Sequence, residues 1–491
     1  MRLRPFYSLA ASLMCAVTPG FADPSEKPIS TAKLIAHPEV KGALSAIDAW
    51  IEGVQLYDNI PGISVGIVYD QELIWDKGYG YSNLEKKIPA DADTLYSICS
   101  ISKVFTAMGV MQLRDQGKLS LRDPVSKHLD WFNIKETYPE SGPATIKGIL
   151  THSSGLPREA SFGYWIGPDY PFPTQQQVKE TIKDKETLYP SQTLFQYSNL
   201  GLVLAGDIIE EVSGQNYSDY MQSSILQPLK MDNTRTYFPT ERHGQDMAIG
   251  YTGLHRDGKR EPVKPFYTKG VTASAGFTSS VNDLAKFISW QFKLLDEKDQ
   301  NILDVNTLRE MHQVQWTDPD FETTRGLGFS VTKIGDKMMH GHGGGCPGYI
   351  TYISLSPEEK LGVIVLTNAS DGPAYSLLKD IVISMRTALE KATDSSREKS
   401  ANYAAYEGNY EARPWGGEMA IRQWGNQLVA IQLPSDNLEE AITRLDHKDD
   451  TKFTRLTSSG QKREDWIFDF DGQGKAQYVI IHDSPSKRIQ N

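Results

Sequence analysis

The sequence predicts an α+β fold with a small all-β domain behind it. Three observations predict it. A β-rich hairpin, Ile63 to Tyr69 and Leu73 to Gly80, leads to an apolar helix near Ser100. Two further strands, Tyr349 to Leu355 and Leu361 to Thr367, are joined by the Pro357-Glu358-Glu359-Lys360 turn and followed by a helix, Ser376 to Leu389. Beyond the polar stretch Lys391 to Ser400 the texture changes to short strands: Met419 to Trp424, Leu428 to Leu433, Phe453 to Leu456, Trp466 to Phe470 and Tyr478 to Ile481. Such strands, with Asp471-Gly472 as a hairpin turn, suit an antiparallel barrel or sandwich of roughly 90 residues.

The 491 residues exceed one ordinary core, so two domains are expected. The reading places a signal peptide at 1–22, a main domain at 23–392, a linker at 393–402 and the barrel at 403–491. Arg2 and Arg4 precede an apolar stretch too short to span a bilayer, and Gly20-Phe21-Ala22 offers a cleavage site. The chain is therefore expected to be exported, periplasmic or secreted. Cys15 lacks the small residue that precedes a lipidated cysteine, and no later segment has the apolar length of a membrane helix, so no stable membrane anchor is expected. A formal charge of −11 disfavours nucleic acid as a partner. Cys99 and Cys346 could pair in an exported chain, or stand as two small buried residues.

The main domain begins with polar residues 23 to 60, helical from Ala43 to Leu56. Ser100-Ile101-Ser102-Lys103 follows the hairpin and opens a helix through Val104, Phe105, Met108 and Met111. Residues three apart share a helix face, so the hydroxyl and the amine point the same way. A serine needs a base to become a nucleophile, and a lysine can be that base where burial lowers its pKa. By itself the pattern is a weak motif, and a helix start with Ser100 as N-cap explains it in most chains. His152, in the polar turn Thr151 to Pro157, reads as a structural histidine bonding its loop. The aromatic, Pro-rich segment 158–190 reads as an ordered wall over a site. Tyr197-Ser198-Asn199 opens another apolar helix, and Ser279 or Ser280 caps a third that starts at Val281. His340-Gly341-His342-Gly343-Gly344-Gly345-Cys346 is a glycine run whose backbone something approaches closely. It is no phosphate loop, and its histidines lack partners at ligand spacing, so neither metal nor cofactor is expected.

Taken in order, S-x-x-K at Ser100/Lys103, Y-x-N at Tyr197/Asn199 and H-G-G at His342–Gly344 resemble the serine β-lactamase and penicillin-binding-protein superfamily. The likeness is to its class C-like branch of D-aminopeptidases, family VIII esterases and related serine peptidases. Thr151 to Leu156, Gln227 to Met231 and Ala275 to Ser279 support it, and it covers roughly residues 45 to 390. The resemblance implies an antiparallel sheet flanked by helices plus an all-helical region, with a lipocalin-like C-terminal barrel. It further implies Ser100 as the acylated nucleophile, Lys103 and Tyr197 as the proton relay, and Asn199 orienting Lys103 and the substrate. The backbone N–H groups of Ser100 and Gly345 would form the oxyanion hole, with His342, Gly343 and Gly344 along the substrate.

His342 stands where the family has the lysine of K-T-G, which attracts a substrate carboxylate. A histidine, mostly neutral at pH 7, attracts it less. That points to an ester, amide or short peptide substrate ahead of the alternatives, a β-lactamase or D-alanyl-D-alanine carboxypeptidase. A slow-turnover penicillin sensor or a non-catalytic interaction protein is the reading from another class. A homo-oligomer formed through the C-terminal domain is a further expectation.

Overall fold

A computed structural model of the chain describes residues 31–160, 163–297, 301–393, 401–415 and 417–489. The signal segment and most of the linker lie outside the described residues.

The hairpin is β1 (Gly62–Tyr69) and β2 (Glu72–Asn83), with the short β3 (Ile88–Pro89) beyond it. A two-stranded ribbon, β4 (Tyr96–Ser97) and β5 (Thr278–Ser279), stands apart from the main sheet. The sheet is completed by β6 (Trp316–Thr317), β7 (Thr324–Arg325), β8 (Ser330–Ile334), β9 (Lys337–Cys346), β10 (Tyr349–Ser356) and β11 (Leu361–Thr367). Its order is β3-β2-β1-β11-β10-β9-β8-β7-β6, antiparallel throughout. The distant halves of the domain meet where β1 pairs with β11, Val65 opposite Val365. Both strands are buried on both faces, so they read as continuous β-branched runs without alternation.

Five long helices pack around the sheet: α1 (Pro38–Tyr57), α2 (Ser102–Asp115), α3 (Asn199–Ser213), α4 (Val281–Leu295) and α5 (Ala374–Thr393). One face of the sheet packs with α2, α3 and α4 into a large apolar core, in which Phe105 stacks on Phe277 and lies against Phe287. The other face packs against α1 and α5. Ser280, one of the two expected caps, accepts from Asp283 N at the start of α4.

The first helix corrects the reading of residues 23 to 60 as mostly polar. From Pro38 onward it is an unbroken helix with eleven buried residues, because it has partners on two sides. One side faces the sheet. The other faces the C-terminal domain, a closed barrel of β12 (Gly408–Glu411), β13 (Glu418–Trp424), β14 (Gln427–Leu433), β15 (Ile442–Asp449), β16 (Lys452–Leu456), β17 (Lys462–Phe470), β18 (Ala476–Ile481) and β19 (Ser484–Ile489). The sequence showed five of these strands. The other three, β12, β15 and β19, are largely polar with few buried residues, and β12 and β19 find their second partner in each other where the barrel closes. The interior is packed with aromatic side chains, among them Tyr406, Tyr410, Phe453 and Phe468.

The barrel docks on α1. Trp50 Nε1 donates to the Ser435 carbonyl at 2.8 Å, and Ala420, Trp424, Val429 and Ile431 join the α1–α5 core. A Cβ at Gly42 would lie 2.4 Å from Trp424 Cα, so helix and strand touch backbone to backbone there. The barrel thus sits across α1, on the side of the sheet away from the α2 helix. Gly42→Val should loosen this seam. Overpacking costs about 1–3 kcal/mol, so urea unfolding of G42V should show a correspondingly lower midpoint than wild type.

Candidate active site

Ser100 lies in a 3-10 turn, Cys99–Ile101, that runs directly into α2. The turn is held from three sides. Ile98 N donates to the Phe277 carbonyl at 2.9 Å. Ser102 Oγ donates to the Cys99 carbonyl and accepts from Phe277 N at 3.0 Å. On the third side runs β9. A Cβ at Gly344 would fall 2.1 Å from the Ile98 carbonyl oxygen, so only glycine lets the strand pass so near the turn. The glycine run therefore forms a strand rather than a loop, and the group that approaches its backbone is the turn bearing Ser100. Glycine's poor strand propensity hid the strand from sequence reading.

Cys99 and Cys346 are joined by a disulfide, which decides between the two readings of these residues. They immediately flank Ser100 and Gly345. The bridge therefore binds the turn to β9 on either side of the two backbone N–H groups expected to form the oxyanion hole. Gly345 is exposed, whereas Gly344 and Cys346 beside it are buried.

Lys103, the second residue of α2, is almost fully buried at 1% exposure. Its Nζ donates to Ser100 Oγ at 3.0 Å and to the Ser274 carbonyl at 2.7 Å. Burial lowers its pKa and outweighs the opposing pull of Tyr197 and Glu159. The Tyr197 ring lies beneath the amine, its centroid 4.9 Å from Nζ. That ring is positioned by His152, which stacks on it at 4.3 Å and accepts from Ser198 N at 3.1 Å through Nδ1. His152 caps its helix in the left-handed region, and burial holds its pKa well below the usual range. It stays neutral and organises the loop that carries Tyr197.

Asn199 departs from the role expected of it. It opens α3, and its Nδ2 donates to Glu159 Oε1 at 2.9 Å, while Oδ1 is buried with no hydrogen-bond partner. Lys103 is oriented by the Ser274 carbonyl instead. Glu159 also accepts the Tyr164 hydroxyl and pairs with Arg158 at 3.2 Å. Arg158 lies over Tyr197, 5.0 Å from the centroid. The Arg158–Glu159 pair was missed in the sequence, because a charged dipeptide in a loop carries no periodic signal. The aromatic side chains of the expected wall that are buried face inward: Tyr164 packs on Phe172 and Phe172 on Phe266, though Tyr164 reaches the site through Glu159.

His342 points its ring toward Tyr197, with centroids 6.3 Å apart. Its Nδ1 donates to the Gly343 carbonyl at 2.6 Å. Burial, with Lys103 and Arg325 nearby, pushes its pKa down to about 3. It is uncharged at neutral pH. Gly343 and Gly344 continue the strand beside it. Among the described residues no group of three or more histidine, cysteine or acidic side chains could hold a metal ion.

The β-lactamase family profile matches residues 47–383. The chain belongs to the β-lactamase family. It is 29% identical over 329 residues to "Protein flp" of Staphylococcus aureus, a match covering 66% of this chain and 62% of that protein. The octameric penicillin-binding protein homologue from Pyrococcus abyssi superposes with a TM-score of 0.61 at 28% identity, over 90% of this chain and 99% of that one. The D-amino acid amidase from Ochrobactrum anthropi superposes with a TM-score of 0.57 at 26% identity, over 72% and 99%. The family is one of serine hydrolases, and the fold is theirs.

Two outcomes follow from the site. The Cys99–Cys346 bridge closes a very long loop, so replacing both cysteines by serine should cost about 2–5 kcal/mol in urea unfolding. Acid should weaken the fold through buried histidines. His340, whose pKa burial lowers to about 4, and His342 are both depressed below the unfolded value near 6.5. Their contribution is intact above pH 6.5 and is lost as pH falls toward 4 and then 3. The melting temperature should fall steadily across that window, and His340→Gln should flatten the fall.

Proposed function

We propose that this chain is an exported serine hydrolase that cleaves an ester or amide bond through an acyl-enzyme on Ser100. One observation carries the reading. A buried lysine, its pKa lowered by burial, sits 3.0 Å from the Ser100 hydroxyl and is aimed by a backbone carbonyl. Neutral Lys103 takes the proton as Ser100 Oγ attacks the carbonyl carbon. Tyr197, beside the amine, passes that proton to the leaving group and later activates the deacylating water. The N–H groups of Ser100 and Gly345, clamped together by the disulfide, receive the developing oxyanion. A small-molecule ester, amide or short peptide fits this chemistry, and the similar structures include a D-amino acid amidase and a penicillin-binding protein homologue.

Export is supported by the N-terminal segment and by the disulfide, which persists in oxidising compartments. The all-round match to an octameric homologue supports self-association with the barrel included.

A fluorophosphonate probe should label the wild type and leave Ser100→Ala unlabelled; equal labelling of both removes Ser100 from the mechanism. Lys103→Ala should lower kcat/KM by about 100- to 10,000-fold on whichever substrate responds in a panel of p-nitrophenyl esters, D-amino-acid amides and a chromogenic cephalosporin. The wild-type rate should rise with pH as Lys103 loses its proton, at a pH below that of an ordinary lysine.

A further inference from the structure

Behind the anchor of the catalytic lysine lies a cavity of about 250 Å³ that the acyl-enzyme chemistry does not use. Its walls come from the start of the short helix Gln175–Thr181, the middle of α3, residues 216–218 and the segment that ends at Ala273. Ser274, the next residue along, binds Lys103 through its carbonyl, so one segment backs both the cavity and the active site. The cavity shares no lining residue with Ser100, Lys103, Tyr197 or His342.

Two carboxylates interrupt the apolar run of α3 on the cavity side. Asp207 and Glu210 are three residues apart and share a helix face, where like charges repel. Asp207 is only 8% exposed. A Cβ on its neighbour Gly206 would fall 2.5 Å from Ala273 Cβ, so α3 is pressed against the lining segment there. Three of the four carboxylate oxygens accept from N–H groups. Gln175 Nε2 donates to Asp207 Oδ1 and, at 2.7 Å, to Glu210 Oε2. Tyr217 N at 2.8 Å and Asn216 Nδ2 at 3.2 Å donate to Glu210 Oε1. The fourth oxygen, Asp207 Oδ2, is buried with no hydrogen-bond partner.

No cation of the chain answers that oxygen. Lys179 acts on Asp207 from a distance, with its amine over the Trp131 ring at 5.2 Å, and Lys269 lines the cavity from an exposed position. A buried carboxylate without a counter-ion is costly, and an incoming N–H cation would relieve it. A metal ion suits the site less. Three oxygens are already turned to N–H donors, and among the described residues no group of three or more histidine, cysteine or acidic side chains could hold a metal.

We propose that this cavity binds a small organic cation, a primary ammonium or a guanidinium, whose N–H group donates to Asp207 Oδ2. Its volume lies below the roughly 300–1,000 Å³ of pockets for drug-sized ligands, so the ligand has only a few carbons. Val203 and Ala273 supply apolar wall for that short body. The site stands whether or not Ser100 is acylated. Burial pushes the Asp207 pKa up to about 7; Gln175 and Lys179 oppose the rise and Glu210 adds to it. Tyr217, the remaining titratable group of the lining, stays neutral, because burial raises its pKa. The empty cavity therefore holds Asp207 partly as the neutral acid at neutral pH, and a bound cation should expel that proton.

Calorimetric titration of the full chain with n-butylammonium chloride and with methylguanidinium chloride tests this, with n-butanol and calcium chloride as controls. At least one of the two cations should bind, and which one binds separates ammonium from guanidinium. Asp207→Asn should weaken that binding by about 10- to 100-fold, the range of one charge-assisted hydrogen bond. Titrations in two buffers of different ionisation enthalpy should show close to one proton released at about pH 6 and almost none at about pH 8. Four results overturn the proposal: neither cation binds, binding is unchanged in D207N, n-butanol binds as tightly, or calcium alone binds. Should D207N fail to fold, the wild-type titrations decide, and binding that releases no proton at about pH 6 overturns the proposal as well.

Discussion

The contact between β9 and the turn at Ser100 is the constraint on which the rest depends. At Gly344 the strand comes so close to the Ile98 carbonyl that no side chain fits between them. The Cys99–Cys346 bond then locks the approach two residues further along the strand. The candidate site is built outward from this seam. It holds the strand on both sides of Gly345 against the turn that carries Ser100, and it fixes the start of α2 and hence Lys103. Its partner across the cleft is the Ser274 segment, which binds the Lys103 amine and carries the Phe277 groups that hold the turn.

Burial then decides which groups near the seam are charged. Lys103, His152 and His342 are all enclosed, and enclosure favours the neutral form of each. Nearby cations reinforce the effect on both histidines. Both histidines are thereby held neutral against Tyr197, and the Lys103 amine is biased toward losing its proton beside the Ser100 hydroxyl. Arginine is the exception, since it keeps its proton. Arg158 is balanced by Glu159, and Arg325 is not balanced by any described carboxylate. The site thereby carries one unanswered positive charge.

The barrel contributes to this arrangement from a distance. It covers α1, which in turn supports the sheet face opposite α2. An apolar helix with two partners needs two apolar faces, which is why α1 has so many buried residues and so little amphipathic pattern. Its first turns read as polar in the sequence because the barrel that buries them begins more than 350 residues later.

Local pattern was enough for much of this protein. The hairpin, the paired strands near residue 350, the cap of α4 and five barrel strands were legible because alternation, turn residues and caps act over a few residues. Ser100, Lys103 and Tyr197 were legible as motifs, since one helical turn is enough to align a hydroxyl with an amine. The relation of Asn199 to Glu159, the inward packing of Tyr164 and the placement of Arg325 were not. Each depends on strands or loops that meet only after β1 has paired with β11 and β9 has closed on the turn. The sequence by itself determined which chemical groups are present and which lie within a turn of one another. The tertiary structure alone decided which are buried, which are paired and which charge is left over, because burial and charge compensation belong to the assembled core and not to any stretch of the chain.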